Sequence, residues 1–179
     1  GGSEANALAL AGFPGRRLLI SAIEHDSVRG NAADAEIVPV LAGGRLDLAA
    51  LEKMLANDAR PALVSIMAAN NETGVVQDVA AIARIAHEAG ALFHCDAIQA
   101  AGKIALDFAG VDIDLMSLSA HKLGGPMGSG ALVVRNSLAL RPLLRGGGQE
   151  RKLRAGTENL PGIAGFGAAA GAAKASLES

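Results

Sequence analysis

Pro61-Ala-Leu-Val-Ser-Ile-Met67 runs directly into Ala68-Ala-Asn-Asn-Glu-Thr-Gly74. The first segment is a continuous apolar run, which reads as a strand buried on both faces in a parallel sheet. The second is a polar loop at that strand's carboxyl end, where ligands of open α/β sheets gather. The same alternation recurs on both sides. Downstream, Asp78 to Glu88 form a helix with Ile82, Ile85 and Ala86 on its inner face, and Gly90 ends it. Ala91-Leu-Phe-His-Cys-Asp96 is the next strand. Upstream, Asp47 caps a helix with Leu48, Leu51 and Leu55 on one face, and the short strand Ala35–Val40 precedes it. Arg17 to His25 read as a buried strand that ends at His25. Before it, Ala5–Ala11 is a run of good helix formers closed by the turn Gly12-Phe-Pro-Gly15. Asp112–Ser119 and Gly130–Arg135 are further strands, and the Ala/Gly-rich stretch from Leu160 is helical. Strands alternating with helices predict an α/β fold with a mostly parallel sheet flanked by helices. No repeat or linker divides residues 1–179.

Composition narrows the function classes. Half of the 179 residues are hydrophobic, yet Trp and Tyr are absent and there are only 4 Phe, so Ala, Leu, Val and Ile must build the core. The net charge is −2 with scattered basic residues, and with so few aromatics to stack on bases nucleic acid is not an expected partner. No apolar run reaches membrane-spanning length and no signal peptide is visible, so a cytoplasmic protein is expected. The single cysteine excludes an internal disulfide and a cysteine-rich metal site. The chain opens on Gly1 without a methionine, which places the expected true N-terminus upstream.

The chemistry gathers at the ends of the strands. In Ser117-Leu-Ser-Ala-His-Lys122 a lysine follows the strand-like run of Leu115, Met116 and Leu118, and the glycine-rich segment Leu123–Gly130 then turns the chain. A lysine desolvated there can lose its proton and condense with an aldehyde to give a Schiff base; the plainer reading is a surface lysine opening a loop. Asp96 follows mostly apolar residues, so it is either paired with a cation or facing one at the sheet edge. Cys95 is its strand neighbour and points to the opposite face, as a small core residue. Gly1-Gly2-Ser3 before a helix are a seat for a phosphate or an ordinary cap. His25 is a solvated strand end or the cover of a planar ligand. Gly146–Arg151 and Arg154–Asn159 form a glycine- and arginine-rich loop, either a linker or an anion site. A dinucleotide site is disfavoured because the glycines of Gly124–Gly130 lead into a strand rather than a helix. No Gly-x-Ser-x-Gly elbow is present, and the four histidines are too dispersed for a metal site.

Gly-Gly-Ser-Glu-Ala-Asn, Glu-His-Asp-Ser-Val, Asn-Asn-Glu-Thr-Gly-Val-Val-Gln-Asp, His-Cys-Asp-Ala-Ile-Gln, Ser-Ala-His-Lys and Gly-Gly-Gly-Gln-Glu-Arg followed by Arg-Ala-Gly-Thr-Glu-Asn occur in that order. Together they resemble the class V aminotransferase family of pyridoxal-phosphate enzymes, and within it the NifS/IscS-type cysteine desulfurases. The resemblance implies the large, cofactor-binding domain of the fold type I pyridoxal-phosphate transferases, truncated at both ends, across residues 1–179. It implies that Lys122 holds pyridoxal 5'-phosphate covalently, that Asp96 pairs with the ring nitrogen, and that His25 stacks on the ring. Gln99 would meet the phenolic oxygen, and Asn71 would contact the cofactor. Gly2, Ser3, Ser119 and His121 would hold the phosphate, and Thr157 would reach the phosphate of a neighbouring subunit, which implies a homodimer. The implied reaction takes L-cysteine to L-alanine and passes sulfur to an enzyme persulfide and then to an acceptor scaffold protein, for iron–sulfur cluster or thiocofactor assembly. The family's persulfide-forming cysteine and its substrate-carboxylate arginine have no counterpart here, so this chain alone is expected to be inactive. A selenocysteine lyase or another class V pyridoxal-phosphate enzyme, or a non-catalytic binding or scaffold module of the same fold, are the alternatives.

Overall fold

The computed structural model describes residues 1–177. Six strands form one sheet: β1 (Arg17–Ser21), β2 (Glu36–Val38), β3 (Ala62–Met67), β4 (Leu92–Asp96), β5 (Leu115–Ser119) and β6 (Gly130–Val134), in the order β2-β1-β3-β4-β5-β6. All pairings are parallel except β5–β6, which is antiparallel. A parallel return needs a long crossover, and the short connection Ala120–Ser129 does not provide one. β3 is buried at every position, as a central strand covered on both faces requires.

The helices are α1 (Gly2–Ala11), α2 (Asp26–Arg29), α3 (Leu48–Ala56), α4 (Val79–Glu88) and α5 (Leu160–Leu177). Asp47 and Asp78 cap α3 and α4, accepting the amides of Ala50 and Ala81 at 3.0 Å each. Gly90 ends α4 at φ 69°, a left-handed conformation that costs glycine no Cβ clash. β2 is shorter than expected, Glu36–Val38 within Ala35–Val40, and two further strands differ at one end. β1 stops at Ser21, so His25 is the cap of α2 and not a strand end. β5 begins at Leu115, because Asp112 turns the chain with φ 64°.

Alternation along the strands separates two cores. Val64, Ile66, Phe93 and Cys95 pack with Leu51 and Leu55 of α3 and Ile82, Ile85 and Ala86 of α4. Ile20, Leu63 and Leu115 pack with Leu8, Ala9 and Leu10 of α1 and Val28 of α2. Ser65, His94, Asp96 and Ser117 are in phase with the second set, so the sheet face under α1 carries its buried polar groups. Cys95 is the buried core residue its alternation with Asp96 implied.

Phe93 is fully buried at the centre of the first core. Phe93→Ala is expected to cost about 3–5 kcal/mol, read from urea unfolding followed by circular dichroism. A loss near zero would mean that this face is not a packed core.

Candidate functional site

The strand order reverses between β1 and β3, since β2 lies on the outer side of β1. The carboxyl ends of β1 and β3 therefore diverge into a crevice, the place where α/β sheets take ligands. Glu24 bridges the ends of these two strands. It is 4% exposed, and its Oε1 accepts from the Ser21 hydroxyl and, at 2.9 Å, from the Met67 amide at the end of β3. Its Oε2 is buried without a hydrogen-bond partner among the described residues. Burial pushes this carboxyl up to about 8 against the pull of its two hydrogen bonds, and the nearby Asp96 charge adds to the rise.

Asp96 ends β4 and is also 4% exposed. Its Oδ2 accepts from Asn6 Nδ2 at 2.7 Å and its Oδ1 from the Ile98 amide at 3.0 Å. Burial raises its pKa, opposed by these two hydrogen bonds and by the charge of His25 nearby. Asp96 forms no ion pair among the described residues. A buried carboxylate without a cation is suited to receive one. Asn6 also donates to Ser27 Oγ at 2.9 Å, and that oxygen lies 2.8 Å from His25 Nδ1. His25 itself is exposed. Beneath Asp96 a polar row crosses three strands: Ser65 Oγ to His94 Nδ1 at 2.8 Å and His94 Nε2 to Ser117 Oγ at 2.9 Å. Burial holds His94 down to about 3, so it is a neutral strut between two hydroxyls.

The remaining residues lie around this core. The α1 ladder begins with Ala5 N donating to Gly1 O at 3.1 Å, so the amides of Gly2, Ser3 and Glu4 precede it and favour an anion. A Cβ on Gly2 would sit 2.5 Å from Ile98 Cδ1 and 3.2 Å from Ser119 Cβ, so a glycine lets the helix start this close to β5. Ser119 is buried with its Oγ 2.9 Å from His121 Nδ1, while Ser3 and His121 are exposed. Gln99 is half-buried, and its Oε1 accepts from Lys103 Nζ at 2.9 Å. Lys122 is close enough for its charge to help lower the Lys103 pKa, after burial.

Of the two readings of Lys122, desolvated at the strand end or at the surface opening a loop, the structure has the second. The chain leaves the sheet at Ser119 and winds into a 3₁₀ turn, Ala120–Leu123, in which Ala120 is the buried residue, and this carries Lys122 to the surface. Asn71 is exposed and donates to Glu72 Oε1 at 2.8 Å. Its neighbour Asn70 is the buried one: it accepts the amides of Glu72 and Thr73 at 2.9 and 2.8 Å and donates to Ile23 O at 3.0 Å, fastening this loop to the segment before His25. Thr157 is exposed in a loop tied to α1 by the Arg154–Glu4 ion pair at 2.7 Å. A cavity of about 530 Å³ beneath that loop is lined by Gly1, Gly128, Arg154, Gly156 and Asn159. Glu24, Asn6, Ser27 and Asn70 were not singled out by sequence reasoning. The usable signals were a carboxylate just past an apolar strand and an asparagine one helical turn from Leu10.

The family profile described as "Aminotransferase class-V" matches residues 1–178. A cysteine desulfurase of Cereibacter sphaeroides is 48% identical over 95% of this chain and 47% of its own length. The solved structure of a NifS-like protein from Rickettsia africae superposes with a TM-score of 0.95 at 38% identity, over 98% of this chain and 50% of that one. SspA, solved in complex with cysteine, gives a TM-score of 0.88 at 36% identity over 96% of this chain and 53% of that one. The chain spans about half the length of the relatives it matches. Among the described residues, no helix is long and apolar enough to cross a membrane.

Glu24 gives the junction of β1 and β3 a pH signature. Its ordinary value is 4.5 and its folded value about 8, so across that window the native state holds a proton that the unfolded chain has lost. Stability is therefore expected to fall as pH rises through this window and to level off above it, by an amount on the order of a few kcal/mol. Asp96 adds a slope of the same sign. Glu24→Gln should flatten the melting-temperature profile between about pH 5 and 9. An unchanged slope in the variant would show that Glu24 is already ionised in the native state.

Proposed function

The chain belongs to the aminotransferase class-V family, and on that premise we propose that it is the pyridoxal-phosphate-binding large domain, residues 1–179, of a cysteine desulfurase. The observation that carries the reading is Asp96, a buried carboxylate with two hydrogen-bond donors and no ion-pair partner among the described residues. A protonated pyridine nitrogen supplies the charge it lacks. The free amides at the start of α1, beside Ser119, suit a phosphate. The residues present therefore fit the cofactor. When bound, it supplies an electron sink for chemistry at a substrate's α-carbon.

Each side chain has a defined task in this reading. Asp96 keeps the proton on the ring nitrogen, and His25 covers the ring face. Gln99 meets the phenolic oxygen and Asn71 adds a contact from the β3 loop. Gly2, Ser3, Ser119 and His121 hold the phosphate, with Thr157 reaching that of a second subunit in a homodimer. Lys122 is the covalent anchor; its exposure means that its desolvation comes from what covers it and not from its own strand. L-Cysteine as substrate is supported by the cysteine desulfurase relatives and by SspA, whose structure contains cysteine. L-Alanine is the product, and a cytoplasmic acceptor protein takes the sulfur for iron–sulfur cluster or thiocofactor assembly.

Cys95 does not serve as the sulfur acceptor. It is fully buried on the sheet face opposite Asp96, and burial pushes its thiol far above the usual range, so the thiolate needed for attack does not form there. The acceptor thiol belongs to a segment or protein other than these residues.

Lys103 provides an internal control for the anchor, because its pKa is lowered and it lies near Lys122. Incubation with pyridoxal phosphate, borohydride reduction and peptide mapping should label Lys122 and leave Lys103 unmodified. Labelling of Lys103, or labelling spread over the surface lysines, contradicts the reading.

A further inference from the structure

Asn6 sits in the middle of α1 and is fully buried, an unfavourable place for a poor helix former. Both hydrogens of its amide are used: one goes to Asp96 Oδ2 at 2.7 Å and the other to Ser27 Oγ at 2.9 Å. Its Oδ1 is buried with no partner among the described residues. An orphaned buried carbonyl costs stability, so packing alone is a weak reason for an asparagine at this position. Reversing the amide would set its oxygen against two oxygens, one of them a carboxylate that only accepts when ionised.

The consequence reaches His25. Ser27 Oγ is occupied as an acceptor by Asn6, so its own proton is free for His25 Nδ1 at 2.8 Å. The Ser27 amide donates to the same nitrogen at 3.0 Å. With two donors directed at it, Nδ1 is the unprotonated nitrogen, and Nε2 carries the ring proton. A continuous line therefore joins the group at the end of β4 to the cap of α2: Asp96, Asn6, Ser27, His25.

We propose that Asn6 is a positioning residue which, through Ser27, ties the His25 imidazole to the Asp96 carboxylate and fixes His25 as its Nε2–H tautomer. Its value for the cofactor rests on the function proposed above, because Asp96 and His25 are the groups assigned there to the ring nitrogen and the ring face. The hydrogen-bonded line itself does not depend on that assignment. One amide sets the orientation of both groups, so a change at Asn6 disturbs them together.

The test uses the chain without cofactor, labelled with ¹⁵N-histidine, and two-bond proton–nitrogen correlation at about pH 7.5, where an ordinary imidazole is mostly neutral. His25 is expected to show a protonated Nε2 and a bare Nδ1. In Asn6→Leu, and independently in Ser27→Ala, the residue-27 amide still donates to Nδ1, so the Nε2–H form should stay the major one while a minor Nδ1–H population becomes detectable. Ser27 lies in the short α2 and is only half-buried, so its variant keeps the test decisive if Asn6→Leu does not fold. In a second arm, titration with pyridoxal phosphate should show affinity lowered about tenfold in Asn6→Leu, or in Ser27→Ala in its place, equivalent to about 1.4 kcal/mol. A protonated Nδ1 in the unaltered chain, or an Nε2–H pattern unchanged in both variants, overturns the proposal. Failure of the unaltered chain to bind pyridoxal phosphate, with the tautomer results as expected, overturns the proposed function and leaves this line of residues standing.

Discussion

The burial of the Asp96 carboxylate at the end of β4 is the constraint on which the site depends. A charge removed from water must be met by donors or by a cation. Here two donors arrive from different places, the Asn6 amide from α1 and the Ile98 backbone just beyond the strand. The second carboxyl in the crevice, Glu24, is pushed up to about 8 by burial and next by proximity to Asp96. Near neutral pH Glu24 is therefore mostly protonated, and the crevice does not hold two like charges. Glu24 acts as a clamp between the ends of β1 and β3 through Ser21 and Met67.

The opposite end of the sheet uses charge differently. Arg17, at the start of β1, is buried between Glu36 and Asp58, with its guanidinium 2.8 Å from Glu36 and 3.3 Å from Asp58. Asp114, just before β5, accepts from His87 and from the Phe93 amide, both at 2.8 Å. These groups are fully partnered and close the amino-terminal edge. At the carboxyl edge Glu24 Oε2 and Asn6 Oδ1 are buried without partners among the described residues. That contrast separates the stabilising end of the sheet from the end suited to a ligand.

Much of this was legible in the sequence because local patterns carry it. The apolar run Ala62–Met67 is a central strand, Asp47 and Asp78 cap helices, and alternation separates Cys95 from Asp96. What the sequence did not disclose depends on contacts between distant segments. Asn6 meets Asp96 across 90 positions, and Glu24 meets Met67 across 43. The burial of Asn70 and exposure of Asn71 follow from how one loop folds back on Ile23, which adjacency of two asparagines does not reveal. The apolar strand before Lys122 left open whether it is desolvated or at the surface, and the 3₁₀ turn after Ser119 decides this by carrying it outward. The antiparallel β6 follows from a connection too short for a crossover, a global condition that the apolar run Gly130–Val134 does not express by itself.

The central claim is that Asp96 is buried in order to meet a positively charged ring nitrogen. The most direct measurement compares the affinity of this chain for pyridoxal phosphate with its affinity for the analogue in which carbon replaces that nitrogen. The analogue keeps the aldehyde, the phenol and the phosphate and removes the ring proton that Asp96 would accept. The account expects the analogue to bind at least about tenfold more weakly, as the loss of one charge-assisted hydrogen bond implies. Equal affinity for the two compounds would contradict it.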